Sequence, residues 1–347
     1  MARLAAHYTD LGQRVGLVTN DQAEGLVDTR ALSSAGFPVN EVAGACFCCK
    51  FNDLVDAAGA LAVGAPIDRL LAEPVGSCTD LVATVVEPLK QLHGTQYRIG
   101  PLTVLLKPEH GQKILRSETG VGFSPKAAYI FLKQLEEADI IAINKIDKIS
   151  PAEQQELTEL LEQRFPQKHI VALSLRTGEG LDRLIAAMEN VTQSSLPLDI
   201  DYDTYADGEA EMGWLNAEAV VEGAGLPLDR LALALVETLG GRLQSDRLEA
   251  VHLKVLAEGD GGFAVANLVS SSDTAEISLP SQTDSNTVKL TINARVAADP
   301  AVLSAHTEAA LAEVAAAHSA QASTTTLQHL RPGRPEPTHR LSPSANS

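Results

Sequence analysis

The stretch Ile140-Ile141-Ala142-Ile143-Asn144-Lys145-Ile146-Asp147 decides the fold. Four consecutive apolar residues followed by a polar tetrad read as a short strand buried on both faces. The tetrad then falls at the strand's C-terminal end, where open α/β sheets bind ligands. A carboxylate there, Asp147, can accept both hydrogen bonds offered by the N1 and N2 edge of guanine, which adenine cannot match. Asn144 and the aliphatic stem of Lys145 can hold the base in place. As a bare string this tetrad is common, and an exposed turn is the plainer role. The next apolar run, 169–174, ends in Ser174-Leu175-Arg176-Thr177-Gly178, where a backbone N–H can meet the guanine O6. The ordered pair is far more specific than either half.

Working outward, an apolar run at 102–106 and a helix at 124–137, opened by Ser–Pro, precede the tetrad. A helix at 151–163 and a Gly-flanked helix at 181–190 follow it. Towards the N-terminus lie a helix at 2–10, a strand at 14–20 (RVGLVTN), a weaker strand at 67–71 and a helix at 80–92. Strands alternating with helices of this length predict an α/β fold, a parallel sheet covered on both faces, over 1–192. Glu73-Pro74-Val75-Gly76 ends the weaker strand. An acid there can hold a magnesium-bound water, and Gly76 lets backbone approach a terminal phosphate. Asp21 and Asp28 follow the strand at 14–20 and can face Mg²⁺ or its waters, although most such residues only cap turns.

The pattern changes at 193–213, an acidic stretch read as a linker. Beyond it, strands at 214–221, 251–256, 263–269, 287–296 and 324–330 and helices at 228–239 and 300–318 predict a smaller α+β, ferredoxin-like domain over 214–330. The Gly259-Asp260-Gly261-Gly262 sequence is a hairpin turn signal. Residues 331–347, rich in Pro and Ser, read as a flexible tail.

A formal net charge of −18 opposes unaided binding to nucleic acid or to an anionic membrane. No run approaches the roughly 18 apolar residues of a membrane span, and the first thirty residues lack a signal-peptide core. A cytoplasmic protein is expected. Only four cysteines occur, three of them in Cys46-Phe47-Cys48-Cys49. Thiolates so close together can converge on one soft ion, leaving a fourth position for Cys78, Glu41, a histidine or a client ligand. The rival reading is a thiol-redox pair, because Cys46 and Cys49 have CxxC spacing. The nine histidines are scattered, with no pair four apart on a helix.

Taken in order, RVGLVTND, CFCC with NDLV, EPVG, NKID and SLRTGEG resemble the CobW-type metal-chaperone P-loop GTPases, relatives of the nickel-inserting GTPases of urease and hydrogenase maturation. The resemblance covers about 1–190, and the C-terminal α+β domain with RPGRPEPTHR is similar to the family's second domain. It implies that Cys46, Cys48 and Cys49 bind Zn²⁺, Co²⁺ or Ni²⁺ and that Asn144, Lys145 and Asp147 select the guanine of GTP. It also implies that Glu73 and Gly76 sense the γ-phosphate beside Mg²⁺, and that the metal goes to a metal-requiring client, with a homodimer left open. Two departures stand out. Lys107 ends the run at 102–106, where relatives often carry an acid. No GxxxxGK[ST] phosphate loop occurs in the 347 residues, and the first five read as the middle of the helix that follows it. The expectation is a chain that starts late, through a misplaced start codon or truncation. Its sheet neighbours would then lack ladder partners, and its GTPase activity would await the upstream loop. The alternatives are a non-hydrolysing metal-binding scaffold and the redox sensor.

Overall fold

A computed structural model describes residues 1–116, 124–271 and 273–341. They divide into two compact units. One comprises Met1–Cys46, Asn52–Val75 and Glu209–Gly333; the other comprises Phe47–Phe51, Gly76–Gly208 and the stretch from Arg334 onward. These units do not follow the sequence boundary at 192, because Met1–Cys46 and Asn52–Val75 cluster with the C-terminal domain.

In the first unit, β1 (Val15–Asn20) pairs in parallel with β2 (Val39–Val42) on one side and β3 (Arg69–Glu73) on the other. Every residue of β1 is buried, as its apolar run requires. The helices α1 (Ala2–Asp10), α2 (Val27–Ser34) and α3 (Phe51–Leu61) belong to the same stretch of chain. Ala5 and Tyr8 of α1 pack with Val15 and Leu17.

In the second unit, β4 (Thr103–Leu106), β5 (Ile140–Ile143) and β6 (His169–Ala172) form a parallel sheet in the order β4-β5-β6. Alternate residues of β5 face opposite layers. Ile141 and Ile143 join Leu157, Leu161 and Phe165, whereas Ile140 and Ala142 join Leu184 and Ala187. The helices are α4 (Glu87–His93), α5 (Pro108–Leu115), α6 (Pro125–Glu137), α7 (Pro151–Arg164), α8 (Leu181–Asn190) and α9 (Tyr202–Ala210). The Ser–Pro start at Ser124 acts as read, and Ser150–Pro151 opens a second helix in the same way. Ser124 accepts from the Ala127 N–H at 3.0 Å, and Ser150 forms a capping box with Glu153. The helix expected at 80–92 is a π-helical turn, Val82–Val86, leading into α4. α9 occupies part of the expected linker. Its Tyr205, 1% exposed, packs with Ile130 and Ile200, so a stretch that reads as acidic spacer carries a buried aromatic.

Among the described residues β3 pairs only with β1, and β4 only with β5. With β2 and β6 they are the edge strands of the two three-stranded sheets, and Leu105 on β4 is 50% exposed.

The C-terminal sheet has the order β10-β9-β8-β11-β7-β12, all antiparallel. Its strands are β7 (Gly213–Pro227), β8 (Ala250–Gly259), β9 (Gly262–Leu268), β10 (Glu276–Leu279), β11 (Asp284–Val296) and β12 (Gln321–Leu330). With α10 (Leu228–Ser245) and α11 (Pro300–Ala317), the core β7-α10-β8-β11-α11-β12 is the ferredoxin-like split βαβ arrangement. The β9–β10 hairpin extends the sheet beyond β8. Leu231, Leu235 and Leu239 of α10 and Leu303, Leu311 and Val314 of α11 bury against the sheet.

Glu137, 1% exposed, accepts from the Leu81 and Val82 N–H groups at 3.1 and 3.2 Å, capping the π-helical turn. Burial pushes its carboxyl from 4.5 to about 7, against the pull of those two N–H donors. Between those values the folded chain keeps a proton that the unfolded chain releases. The Glu137 contribution is therefore full at acid pH and is lost as pH rises through about 7, a swing of about 3 kcal/mol. Glu137→Gln, uncharged and isosteric, is expected to flatten this part of the pH dependence. Urea unfolding from about pH 5 to about pH 8 checks it, the parent losing stability relative to the variant across that range.

Candidate functional site

Asn144 leaves β5 and turns the chain. Lys145 follows with φ 65°, the left-handed region, a conformation that costs a side-chain-bearing residue about 1–2 kcal/mol. Asn144 stabilises that turn itself: its Oδ1 accepts from the Lys145 N–H at 2.8 Å and from the Leu175 N–H at 3.0 Å. One side chain thus ties the loop after β5 to the loop after β6. The second loop is kept close by Gly180, at φ +75°, where a Cβ would stand 2.5 Å from the Ala172 carbonyl oxygen. Ser174 donates from Oγ to Asp147 Oδ1 at 2.6 Å. Arg176 donates to Asp147 Oδ2 from Nε at 3.0 Å and from Nη2 at 2.6 Å. The Ser174 bond first, and then Arg176, holds the Asp147 carboxyl below the ordinary aspartate range.

The five residues expected to read a guanine, Asn144, Lys145, Asp147, Ser174 and Leu175, therefore converge. Asn144 serves as the brace between the two loops. Arg176, quoted in the sequence but given no role there, is the addition. Its guanidinium offers Asp147 two N–H donors on a planar fork, the same chemistry as the N1 and N2 edge of guanine.

The cysteine stretch Cys46-Phe47-Cys48-Cys49 brings three sulfurs together, all within 4.8 Å of one another. Cys48 Sγ and Cys49 Sγ are 3.7 Å apart. A tetrahedral zinc with Zn–S bonds of about 2.3 Å has S···S edges of about 3.8 Å, so this pair already has the required spacing. Cys46 and Cys48 are 4% and 2% exposed, Cys49 is partly exposed, and none is in a disulfide. The donor set of three soft sulfurs fits Zn²⁺ and its soft neighbours. Upstream, Asn20 at the end of β1 donates from Nδ2 to the Val42 and Ala45 carbonyls, both at 2.8 Å, setting where this stretch begins.

Of the two named candidates for a fourth ligand, one is engaged elsewhere and the other lies outside the cluster. Glu41 accepts from the Gly25 and Leu26 N–H groups at 3.2 and 3.3 Å and from the Thr29 hydroxyl. Cys78 is buried outside the three-sulfur cluster.

Of the phosphate-side candidates, Glu73 and Asp28 lie near enough to interact. Glu73 ends β3, in register with Thr19, and desolvation and then the Asp28 charge push its carboxyl above the ordinary glutamate range, while Lys254 pulls it down. Gly76 is exposed, and a Cβ there would meet nothing, so its backbone does not demand glycine for space. Asp28 pairs with Lys254 Nζ at 2.6 Å. Asp21 is held in a buried ion pair. It is 2% exposed, and its Oδ1 and Oδ2 accept from Arg295 Nη2 at 2.7 and 2.6 Å, with Asn216 Nδ2 on Oδ2 at 2.8 Å. Arg295 also lies over the Trp214 ring, 4.1 Å from its centroid.

Two further residues escaped the sequence reading. Asn216 and Asn293 face each other across β7 and β11, 3% and 1% exposed. Asn293 accepts from the Val27 N–H at 2.6 Å and donates to the Gly25 carbonyl at 3.1 Å, while Asn216 donates to the Glu24 carbonyl at 3.2 Å. They fix the loop after β1. The available signal is a lone asparagine inside each apolar strand (WLNAEAVV and LTINARV), where an unpaired amide would be costly.

Residues 3–172 match the family model described as CobW/HypB/UreG, nucleotide-binding domain. Zinc chaperone YeiR of Escherichia coli (strain K12) is 30% identical over 177 residues, 48% of this chain and 48% of that relative. The chain thus spans about half the length of the curated relative it matches. Two solved structures are also similar. The Zn(II)-bound YjiA GTPase from E. coli matches at TM-score 0.33 and 14% identity, over 87% of this chain and 98% of that one. Hydrogenase maturation factor HypB from Archaeoglobus fulgidus matches at TM-score 0.33 and 16% identity, over 54% of this chain and 79% of that one. The fold class rests on the strand orders given above. Among the described residues no helix is long and apolar enough to cross a membrane.

Proposed function

We propose that this CobW-family chain is a zinc metallochaperone that loads Zn²⁺ on Cys46, Cys48 and Cys49, recognises the guanine of GTP at the Asn144–Asp147 loop, and passes the metal to a metal-requiring client. The observation that carries this reading is the convergence of three sulfurs within 4.8 Å on four consecutive residues, one pair already at a tetrahedral edge. Packing alone has no need of three thiols so placed. The name of the YeiR relative supports zinc over the other soft ions. When bound, the ion supplies a Lewis-acidic cargo; the chain's own residues supply thiolates, burial and a fixed turn.

The base pocket supports the nucleotide half of the reading. Asp147 holds a carboxylate at a strand end, depressed well below neutrality by Ser174 and Arg176, so it is ionised and ready to accept two N–H donors. A guanine entering there replaces the Arg176 fork on the same carboxylate. Hydrolysis of GTP needs a phosphate cradle in addition to these residues, and Glu73, Gly76 and Mg²⁺ belong to that step. Metal release coupled to nucleotide state follows from linkage, since a ligand that favours one geometry of the thiolate loop shifts metal affinity by the same free energy.

Two outcomes are expected. The double variant Cys48→Ser, Cys49→Ser loses zinc affinity by at least about 100-fold, read by competition with a chromogenic chelator; full retention removes the metal reading. Asp147→Asn abolishes the preference for guanosine over adenosine, read by calorimetric titration of the nucleosides, because the amide can accept only one of the two guanine N–H bonds. An unchanged preference would place base recognition elsewhere.

A further inference from the structure

The stretch 334–341 departs from the loose tail that its Pro and Ser content predicts; the residues after 341 lie outside those described. The Glu336 N–H donates to Cys49 Sγ at 3.2 Å. The Thr338 N–H donates to the Cys48 carbonyl at 2.8 Å, and the Thr338 hydroxyl to the Cys49 carbonyl at 2.8 Å. His339 meets the buried Phe51 ring edge-on at 5.0 Å. Past the cysteines, Arg340 Nε donates to Asp80 Oδ2 at 2.7 Å, and the Leu341 N–H donates to the Ala83 carbonyl at 3.0 Å. At the near end Arg334 pairs with Asp203. The segment is thus fastened at both ends and lies along the Cys48–Cys49 turn in between.

We propose that 334–341 is a positioning strap for the metal-binding turn, and that the Glu336 amide tunes the zinc affinity of Cys49. This rests on the zinc reading above. An N–H aimed at a sulfur stabilises the thiolate over the thiol, and the thiolate is the metal ligand. The two Thr338 bonds hold the carbonyls of Cys48 and Cys49, so the turn need not reorganise when the ion enters. The local sequence is built for one donor. Pro335 and Pro337 have no N–H and a fixed φ, which leaves Glu336 as the single amide of the Pro-Glu-Pro tripeptide and holds it in place at little entropic cost. Sequence composition alone misleads here, because the same prolines that look like disorder stiffen a short extended segment once its ends are tied. Groups that hydrogen-bond to metal ligands typically change metal affinity 10–100-fold when removed.

The test uses the full chain and the zinc ion alone, in competition with a chromogenic chelator. Glu336→Pro removes the amide donor in a backbone already shaped by prolines, and Glu336→Ala removes only the side chain. The expected result is zinc binding weakened about 10-fold in Glu336→Pro and unchanged in Glu336→Ala. With Co²⁺ in place of zinc, the sulfur-to-metal charge-transfer band moves to lower energy in Glu336→Pro alone, a change that a purely structural role would not produce. Equal affinity in Glu336→Pro and the parent overturns the proposal. Equal loss in both Glu336 variants also overturns it, since the carboxylate would then be the acting group. Should Glu336→Pro not fold, Thr338→Val carries the test, with weaker zinc binding expected and unchanged binding contradicting the strap. Loss of zinc in Cys48→Ser, Cys49→Ser alongside indifference in all strap variants would leave the metal reading standing and only the strap refuted.

Discussion

Three sulfurs within 4.8 Å are a constraint before they are a binding site. Ionised together without a cation they repel, and two of the three are nearly fully buried, where water screens that repulsion least. The surroundings must therefore hold the stretch in shape. Gly44 takes a left-handed turn at φ 88° just before it, Asn20 fastens the Val42 and Ala45 carbonyls, and Thr338 fastens the carbonyls of Cys48 and Cys49. A divalent ion relieves the repulsion that these contacts otherwise oppose. Metal binding and loop order are then one equilibrium, and whatever shifts one shifts the other.

The proposed base pocket follows a related principle. Asp147 carries its charge at the mouth of two loops, and in the absence of a base the Arg176 guanidinium neutralises it. Exchange of one planar donor for another costs less than exposing a new charge, so the pocket can open without leaving a bare carboxylate. Asn144, the brace between the loops, accounts for the strained Lys145: it accepts from that residue's own N–H while holding Leu175.

Much of this was legible in the sequence, for identifiable reasons. The run IIAI reads as a doubly covered strand because both its faces are apolar, and Ile140/Ala142 and Ile141/Ile143 pack into separate layers. The Ser124–Pro125 start and the GDGG turn carry their own local chemistry, and they hold in the structure. What was not legible depends on distant partners. Strand β2, VNEV, is too short and too polar to announce itself, and it forms because β1 offers it a ladder. Asp21 looks like any carboxylate after a strand until Arg295, 274 positions away, closes on it. α9 hides a buried tyrosine in an acidic run, and the tail hides its order in prolines. In each case local composition was outvoted by one long-range contact.

The central claim is that CFCC is a zinc site built from all three thiolates. X-ray absorption at the zinc edge of the loaded full chain tests it most directly. The expected spectrum shows three sulfur neighbours at about 2.3 Å with one lighter ligand. A shell made only of nitrogen and oxygen at about 2.0–2.1 Å, or a chain that retains no zinc, would contradict the account.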